Sequence, residues 1–535
     1  MELDKMNTLK ICVLHCPKQY VVYSPPQGLM SIAAYLKSKN VKIDVLDANI
    51  HYIDVDSIKL KSFNDFKNSK IFVFKAFNQH YMEFPEKELE KYFTEHKFDV
   101  IISDCHFTGT VNYSLQTFEL IKRVSPESII VCGGIHATYY SQKLLNTRLI
   151  DIVVKGEGED IIYQIIQNLE NGESLENIEG IDYLEEEHVK INPGIGFIKD
   201  LNTLAPTFKV FDDFEINLYR EYVKALDGPF WHDRDPAGTV MLSRGCMGRC
   251  SFCNSRIVDQ GKYRTLSEEN TIMNIKSIYE LYEPKKITIY DALFGANKRQ
   301  FRAFCNVMKE IQIPWEFATR VDLLKTEDIE LLKESYCRNV IFGLESVNLD
   351  TLKFNGKISH KKTDKYITTA VKTFKQVIDS DMFCLILLLF GMPKEKPTIY
   401  EDTIKFFKEN DLINEKIMVK AFMPISFPGS LLWDLTPPDQ RCHDWEKYNM
   451  NPENPISTPK IFYNNSDFTL EELYNYGLSI ENDLFENSDM TDNKLLLRDL
   501  KIIIDEGYDA IESKMDKDWF ELSIDYTVKN YLSSK

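Results

Sequence analysis

Ser243-Arg244-Gly245-Cys246-Met247-Gly248-Arg249-Cys250-Ser251-Phe252-Cys253-Asn254 is the stretch on which the reading of this chain turns. Three cysteines stand at x3 and x2 spacing, directly after an apolar strand pattern at 239–243. Soft thiolates that close together on one loop can converge on an iron–sulfur cluster. A closed cluster takes four protein ligands, and no fourth cysteine lies nearby. One iron would stay open to a small molecule, as open catalytic metal sites do generally. The alternatives are a zinc knuckle, which wants a fourth Cys or His, and three cysteines buried as small hydrophobes.

Downstream of the cysteines the pattern alternates strand and helix. Strands are expected at 239–243, 287–290, 315–319, 340–343, 383–390 and 417–423. Between them lie amphipathic helices, one presenting Phe301, Phe304, Cys305, Met308 and Ile311 on a single face, another capped by Thr326 with Glu327 and Asp328 in its first turn. Six such units predict an open or partial β/α barrel whose working end is the carboxyl edge of its strands.

Upstream, residues 9–14, 41–47, 99–103, 128–131 and 151–154 read as strands, with helical patterns between them. The alternation predicts a doubly wound parallel sheet with helices on both faces. Residues 50–95 break that rhythm and read as an insertion. The expected division is 1–171 for the first domain, 172–235 for an irregular connector, 236–430 for the barrel and 431–535 for a mainly helical carboxyl-terminal region. In that last region Trp433, Trp445 and Tyr448 are candidates to line a pocket, with core packing the leading role.

Composition narrows the classes. A chain of 535 residues suggests three or four domains. With 64 Lys+Arg against 82 Asp+Glu the net charge is −18, which opposes sequence-independent binding to nucleic acid or anionic lipid. Met1-Glu2-Leu3-Asp4-Lys5 lacks the basic-then-apolar pattern of a secretory signal. The longest apolar run, 382–392, is short of the roughly 20 residues a bilayer needs and is broken by Gly391-Met392-Pro393. Eleven cysteines, an odd number without secretory context, point to reduced thiols and a cytoplasmic location. Cys12, Cys16, Cys132, Cys305, Cys337 and Cys384 read as core; Cys105 and Cys442 are less clearly buried.

The cysteine loop after a barrel strand, with Phe252 just before the last cysteine, resembles the radical SAM superfamily over roughly 236–430. Asp291-Ala292-Leu293-Phe294, Arg320, Gly343-Leu344-Glu345-Ser346, Pro424 and Phe427-Pro428-Gly429 match its later landmarks. The resemblance implies a [4Fe-4S] cluster on Cys246, Cys250 and Cys253, with S-adenosylmethionine (SAM) chelating the open iron. It also implies one-electron cleavage to a 5′-deoxyadenosyl radical, fed by a flavodoxin- or ferredoxin-type donor. Phe252 matches the aromatic whose loop contacts adenine. Asp291, Arg320 and Glu345 fall where the family holds the ribose and methionine parts, although the usual Gly-Gly-Glu is here Tyr290-Asp291-Ala292. The bland reading of Arg320 and Glu345 is an ion pair inside the barrel.

Residues 9–170 are similar to the cobalamin-binding domain that precedes the barrel in one subfamily. Pro25-Pro26-Gln27-Gly28-Leu29, Cys132-Gly133-Gly134-Ile135-His136-Ala137-Thr138 and Lys155-Gly156-Glu157-Gly158-Glu159 carry the likeness. Glycines at strand ends let backbone approach a flat ring, and Ser103, Thr108 and Ala137 leave room. The candidate cobalamin contacts are Gly28, Ser103, Thr108, Gly133, Gly134, Ala137, Gly156 and Glu157. Asp104-x-His106-x-x-Gly109 matches a cobalt-ligand motif, but after the third strand rather than the first, whose loop His15-Cys16-Pro17-Lys18 lacks it. The resemblance implies that no protein histidine below the cobalt is required, because the family often binds cobalamin without one.

The reading that follows is a cobalamin-dependent radical SAM enzyme that methylates an unactivated carbon of a natural-product, peptide or small-molecule substrate. The same cofactors also allow ring contraction, oxidation or cyclisation. A cobalamin-binding regulator or electron-transfer protein would not cleave SAM. A tRNA-modifying enzyme is disfavoured by the charge.

Overall fold

The computed structural model describes residues 9–18, 24–53, 72–74, 79–81, 84–106, 110–225, 235–359, 363–414, 416–442, 463 and 467–485. The amino-terminal strands are β1 (Ile11–His15), β2 (Asp44–Asp47), β3 (Phe72–Phe74), β4 (Gln79–Tyr81), β5 (Val100–Asp104), β6 (Ile129–Gly133), β7 (Ile152–Val154), β8 (Ile181–Glu185) and β9 (His188–Ile191). Seven of them form one sheet in the order β2-β1-β5-β6-β7-β8-β9. Its first five strands are parallel, and β7-β8-β9 continue it antiparallel.

Strand β1 shows why the sheet is wound on both sides. All five of its residues are buried, and successive side chains point to opposite faces. Ile11 and Val13 belong to one apolar core, Cys12 and Leu14 to another. Both faces therefore need a helical cover. Gln27–Ser38 supplies one such cover, starting behind Pro25-Pro26, with Pro26 at its amino-terminal cap. Glu159–Asn171 lies on the same face; it carries Glu159 and Asp160 in its first turn and stops at Gly172 in the left-handed region. Val111–Val124 and Ile135–Leu145 cover the other face.

Two expectations change here. The segment after 171 is not irregular throughout, because β8 and β9 form a hairpin that extends the sheet. Of the expected insertion, the described parts hold the antiparallel pair β3–β4 and the helix Glu86–Glu95; residues 54–71, 75–78 and 82–83 lie outside the described residues.

The second half contains β10 (Thr239–Val240), β11 (Ser243–Arg244), β12 (Arg264–Thr265), β13 (Ile287–Ile289), β14 (Trp315–Thr319), β15 (Cys337–Glu345), β16 (Phe383–Leu389) and β17 (Ile417–Phe422). Six are parallel neighbours in chain order, β10-β13-β14-β15-β16-β17, which is the expected partial (β/α)6 barrel. The expected first strand, 239–243, is broken. Leu242 N–H leaves the ladder to donate to Asp291 Oδ1 at 2.7 Å, and Ser243–Arg244 pairs antiparallel with Arg264–Thr265. That small ribbon brackets the cysteine loop.

The helix Lys298–Ile311 buries Phe301, Phe304, Cys305 and Met308 as expected. With Phe294, Trp315 and Phe317 its aromatics form a cluster in which Phe294 meets Phe304, Trp315 and Phe317 edge to face and Trp315 stacks on Phe317. Thr326 is not a cap but the first helical residue; Lys325 holds the cap position and its N–H donates to Asp328 Oδ2 at 2.9 Å. Cys105 and Cys442 are both buried.

In the carboxyl-terminal region the helices Leu431–Leu435 and Leu470–Phe485 are described. Gly477 lets the second approach the Ala421 carbonyl, where a Cβ would sit 3.1 Å away, so that helix covers the edge strand β17. Trp433 packs in a small core with Cys442. Trp445 and Tyr448 lie outside the described residues. No helix among the described residues is long and apolar enough to cross a membrane.

Candidate active site

The cysteine loop is held at several points. Gly245 has φ +82°, and a Cβ there would collide with the Lys262 carbonyl, so only glycine makes this turn. Cys246 N–H donates to Asp259 Oδ2 at 3.1 Å, and Arg256 donates to the Gly248 carbonyl at 3.1 Å. Further along, Ser251 Oγ donates to Asn355 Oδ1 at 2.5 Å and Ser251 N–H to the Asn355 carbonyl at 2.8 Å. Cys246 and Cys250 are half-buried and Cys253 is exposed, while the remaining eight cysteines are buried.

A Cβ placed on Gly248 would lie 3.2 Å from Cys246 Sγ and 3.7 Å from Cys250 Sγ. The missing side chain keeps the space between these two thiols open. A cubane takes its thiolates at separate corners, and an open three-thiol cradle with no fourth ligand fits it. Burial pushes the Cys250 thiol up to about 11, so metal uptake at this loop must release its proton.

Polar groups from the ends of β14 and β15 face this loop. Arg320 follows β14; its guanidinium donates to Asp322 at 2.9 and 3.1 Å and to the Lys357 carbonyl at 2.7 Å. Glu345 ends β15 with φ +70°, beyond a register shift against β16. That bulge re-aims its side chain, and Lys357 Nζ lies 3.0 Å from Glu345 Oε1. A Cβ at Gly343 would collide with that carboxylate and sit 3.0 Å from Lys357 Nζ. Burial pulls the Lys357 ammonium down, yet Glu345, Tyr366 and Cys250 outweigh it and hold it above its ordinary value. The Tyr366 hydroxyl is buried with no hydrogen-bond partner among the described residues.

Arg320 and Glu345 therefore do not pair with each other. Their charges, with Lys357 and the orphaned Tyr366 hydroxyl, suit a ligand carrying both an amino and a carboxylate group. Lys357 and Tyr366 had no sequence signal, because only the tertiary fold brings them to Glu345. Phe252 stands half-buried inside the loop. Asp291 is turned inward on the chain itself. Its Oδ1 accepts from Leu242 N–H and its Oδ2 from Ser243 Oγ at 2.5 Å, and it is 3% exposed. Its place in the fold is to anchor the entry to the cysteine loop.

The carboxyl edge of the amino-terminal sheet meets this loop. Arg244 donates to Glu159 Oε1 at 2.6 Å and to Ser31 Oγ at 2.9 Å, and Arg264 donates to Glu157 Oε2 at 2.7 Å and Oε1 at 3.1 Å. The helix Ile135–Leu145, which follows Gly133-Gly134, reaches the segment after the cysteines: a Cβ at Gly429 would meet both Ile257 and Tyr139 Cδ2, the latter at 2.9 Å.

Several candidate cobalamin contacts are placed otherwise than expected. Ser103 Oγ donates to the Leu14 carbonyl at 2.8 Å, so its proton is held inside the sheet. Ala137 is fully buried in the core behind the sheet. The Glu157 carboxylate is taken up by Arg264 and by Ile198 N–H at 2.6 Å. Gly156 has φ +86° and abuts the Gly196 carbonyl. Thr108 lies outside the described residues. Gly28 has open space around it, while Gly133 would place a Cβ 3.6 Å from the Val154 carbonyl. Gly134, at φ +108°, would bring a Cβ within 2.8 Å of His106 Cα. Gly134→Ala is expected to cost about 2–3 kcal/mol of stability, read as a lowered urea midpoint; an unchanged midpoint would show that the backbone there yields freely.

Two family models match the chain: the B12 binding domain over residues 74–166 and the radical SAM superfamily over 240–407. The chain joins a B12-binding domain to a radical SAM domain. Its cofactors are a [4Fe-4S] cluster, SAM and cobalamin. Strands β1 and β2 precede the matched B12-binding residues, although they belong to the same sheet. This radical SAM enzyme is 27% identical to an uncharacterized methyltransferase of Pyrococcus horikoshii over 66% of the chain and 73% of that relative. It is 24% identical to an anaerobic magnesium-protoporphyrin IX monomethyl ester cyclase of Cereibacter sphaeroides, over 67% of the chain but 56% of the cyclase. Among solved structures it superposes on the radical S-adenosylmethionine methyltransferase TsrM of Kitasatospora setae, with cobalamin and [4Fe-4S] cluster bound. The TM-score is 0.59 and the identity 16%, over 79% of this chain and 74% of TsrM.

Proposed function

We propose that this protein is a cobalamin-dependent radical SAM C-methyltransferase acting on an unactivated carbon of a small-molecule, natural-product or peptide substrate. The observation that carries the reading is the meeting of the open three-cysteine loop with the carboxyl edge of the B12-binding sheet through Arg244 and Arg264. When bound, the cofactors supply one-electron cleavage of SAM and a transferable methyl group.

The chain's own residues do the holding. Cys246, Cys250 and Cys253 bind iron around the gap left by Gly248. Glu345 accepts from the SAM ammonium, Arg320 donates to its carboxylate, and the Tyr366 hydroxyl gains the partner it lacks. Phe252 contributes an apolar surface beside the last cysteine. Asp291, through Leu242 and Ser243, and Asn355, through Ser251, fix the loop so that bound groups stand in reactive geometry. Gly28 and Gly133 supply close backbone approach for cobalamin, while Gly134 and Gly156 serve the chain's own tight packing. No residue is assigned as an acid or base.

A small electron carrier of flavodoxin or ferredoxin type and a cytoplasmic setting suit this chemistry, and the acidic charge suits neither nucleic acid nor an anionic membrane. Non-methylating chemistry is the second reading, favoured by the likeness to a cyclase. Anaerobic reconstitution with iron, sulfide and cobalamin, followed by incubation with SAM, a one-electron reductant and candidate substrates, decides between them. A product heavier by one methylene supports methylation, an unchanged or dehydrogenated skeleton overturns it, and absence of 5′-deoxyadenosine overturns both readings.

The Glu345 assignment has its own check. Glu345→Gln is expected to weaken SAM binding about 10–100-fold, the loss of one charge-assisted hydrogen bond. Equilibrium binding to the reconstituted protein measures it, with iron content unchanged. Undiminished affinity would remove Glu345 from the SAM site.

A further inference from the structure

Arg244 stands two residues before Cys246 and reaches into the other half of the molecule. It is directly opposite Arg264 in the β11–β12 ribbon, an arrangement of like charges that is unfavourable by itself. Two glutamates at the carboxyl edge of the amino-terminal sheet resolve it. Arg244 contacts Glu159 Oε1 at 2.6 Å and Glu157 Oε1 at 3.4 Å, and Arg264 contacts Glu157 Oε2 at 2.7 Å. The four side chains are largely buried, so solvent screens them little.

This clasp is incompletely satisfied, at Arg264 Nε and on its sheet side. Glu159 is 3% exposed, and its Oε2 has no hydrogen-bond partner among the described residues. Gln27 Oε1 is buried and unpartnered as well. Gln27 lies one turn before Ser31 on the same helix face, and Ser31 Oγ donates to Glu159 Oε1 at 2.7 Å. Gly28, next in the chain, leaves open space. These two buried acceptors without donors, on groups linked through one helix face, carry a desolvation cost that a ligand's N–H groups would remove.

We propose that Gln27 and Glu159 accept hydrogen bonds from the primary amide groups of bound cobalamin, and that Arg244 relays this contact to the cysteine loop so that cobalamin and cluster binding reinforce each other. The proposal rests on the cobalamin reading of this sheet. A ligand shifts a partner site only through an element that both ligands bias. Here that element is the Glu159–Arg244 pair, touched by the corrin amides on one side and continuous with Gly245-Cys246 on the other. Arg244 is a positioning residue, since it touches neither iron nor substrate. Linkage makes the effect reciprocal.

The test titrates hydroxocobalamin into full-length protein, with and without a reconstituted cluster and in the absence of SAM. The wild-type protein is expected to bind hydroxocobalamin at least about fivefold more tightly when the cluster is present, the lower range of such couplings. Glu159→Gln puts an NH2 group where an acceptor was, and Arg244→Gln breaks the relay. Both are expected to bring the ratio of the two dissociation constants to about 1. Arg244→Lys keeps the charge but not the fork that spans both glutamates; it is expected to do the same and serves if either glutamine variant fails to fold. A wild-type ratio of 1, or variants that keep the wild-type ratio, would overturn the clasp alone. A chain that takes up no hydroxocobalamin in either state overturns the cobalamin reading and this proposal with it.

Discussion

Cys253→Ala is expected to yield a folded protein that loses its cluster iron and makes 5′-deoxyadenosine at least about 10³-fold more slowly, as for residues that act as a unit. The physical case rests on exposure and on ligand number. Cys253 is exposed and its thiol donates to Ser255 Oγ at 3.3 Å, so truncation opens no cavity. The loop remains held by Asp259, Asn355 and Arg244. What disappears is one sulfur donor from a set that already leaves one iron without a protein ligand, and two thiolates do not retain a cubane. Cys442→Ala is the matched control. That thiol packs against Trp433 and is not among the three loop cysteines, so its loss should lower stability by about 1–2 kcal/mol and leave iron content unchanged. Iron and sulfide analysis after anaerobic reconstitution separates the two variants. Full iron content in Cys253→Ala would remove it from the ligand set.

The cysteine loop was legible in the sequence because metal-binding spacing is local. The barrel strands were legible because buried parallel strands read as unbroken apolar runs. Strand β15 begins earlier than expected, at Cys337-Arg338-Asn339, where polar residues hide it. The β8–β9 hairpin escaped for a related reason. Its turn is Glu186-Glu187, both with positive φ, where Asn-Gly would have announced it. Side-chain roles were harder to read than elements. Ser103 and Ala137 are small enough to leave room for cobalamin, and smallness serves close packing within a sheet equally well. Glu157 looked like a ligand contact and Arg244 like part of a motif. Only the fold shows that the acidic run after β7 and the arginines around the cysteine loop meet each other.

Asp291 offers the second large effect, in stability rather than turnover. Burial raises its carboxyl to about 7, and the hydrogen bonds from Ser243 and Leu242 only partly offset that. An unfolded chain titrates the same group near 4. Between those values the folded state keeps a proton that the unfolded state has released, so the contribution is complete below about pH 4 and lost as pH rises through 7. The slope is about 1.4 kcal/mol per pH unit, or about 2–3 kcal/mol between pH 5 and 8. Asp291→Asn mimics the protonated acid. Its carbonyl accepts from Leu242 N–H and its NH2 donates to a reversed Ser243 hydroxyl, so the loop stays anchored. Other groups titrate in the same window. Glu395, raised by burial to about 7, acts in the same direction, and His136, lowered by burial to about 3, acts oppositely. Both are common to wild type and variant and cancel in their difference. Denaturant unfolding from pH 5 to 8 should therefore show the wild-type advantage over Asp291→Asn shrinking by about 2–3 kcal/mol, and a flat difference would mean that Asp291 is already ionised at pH 5.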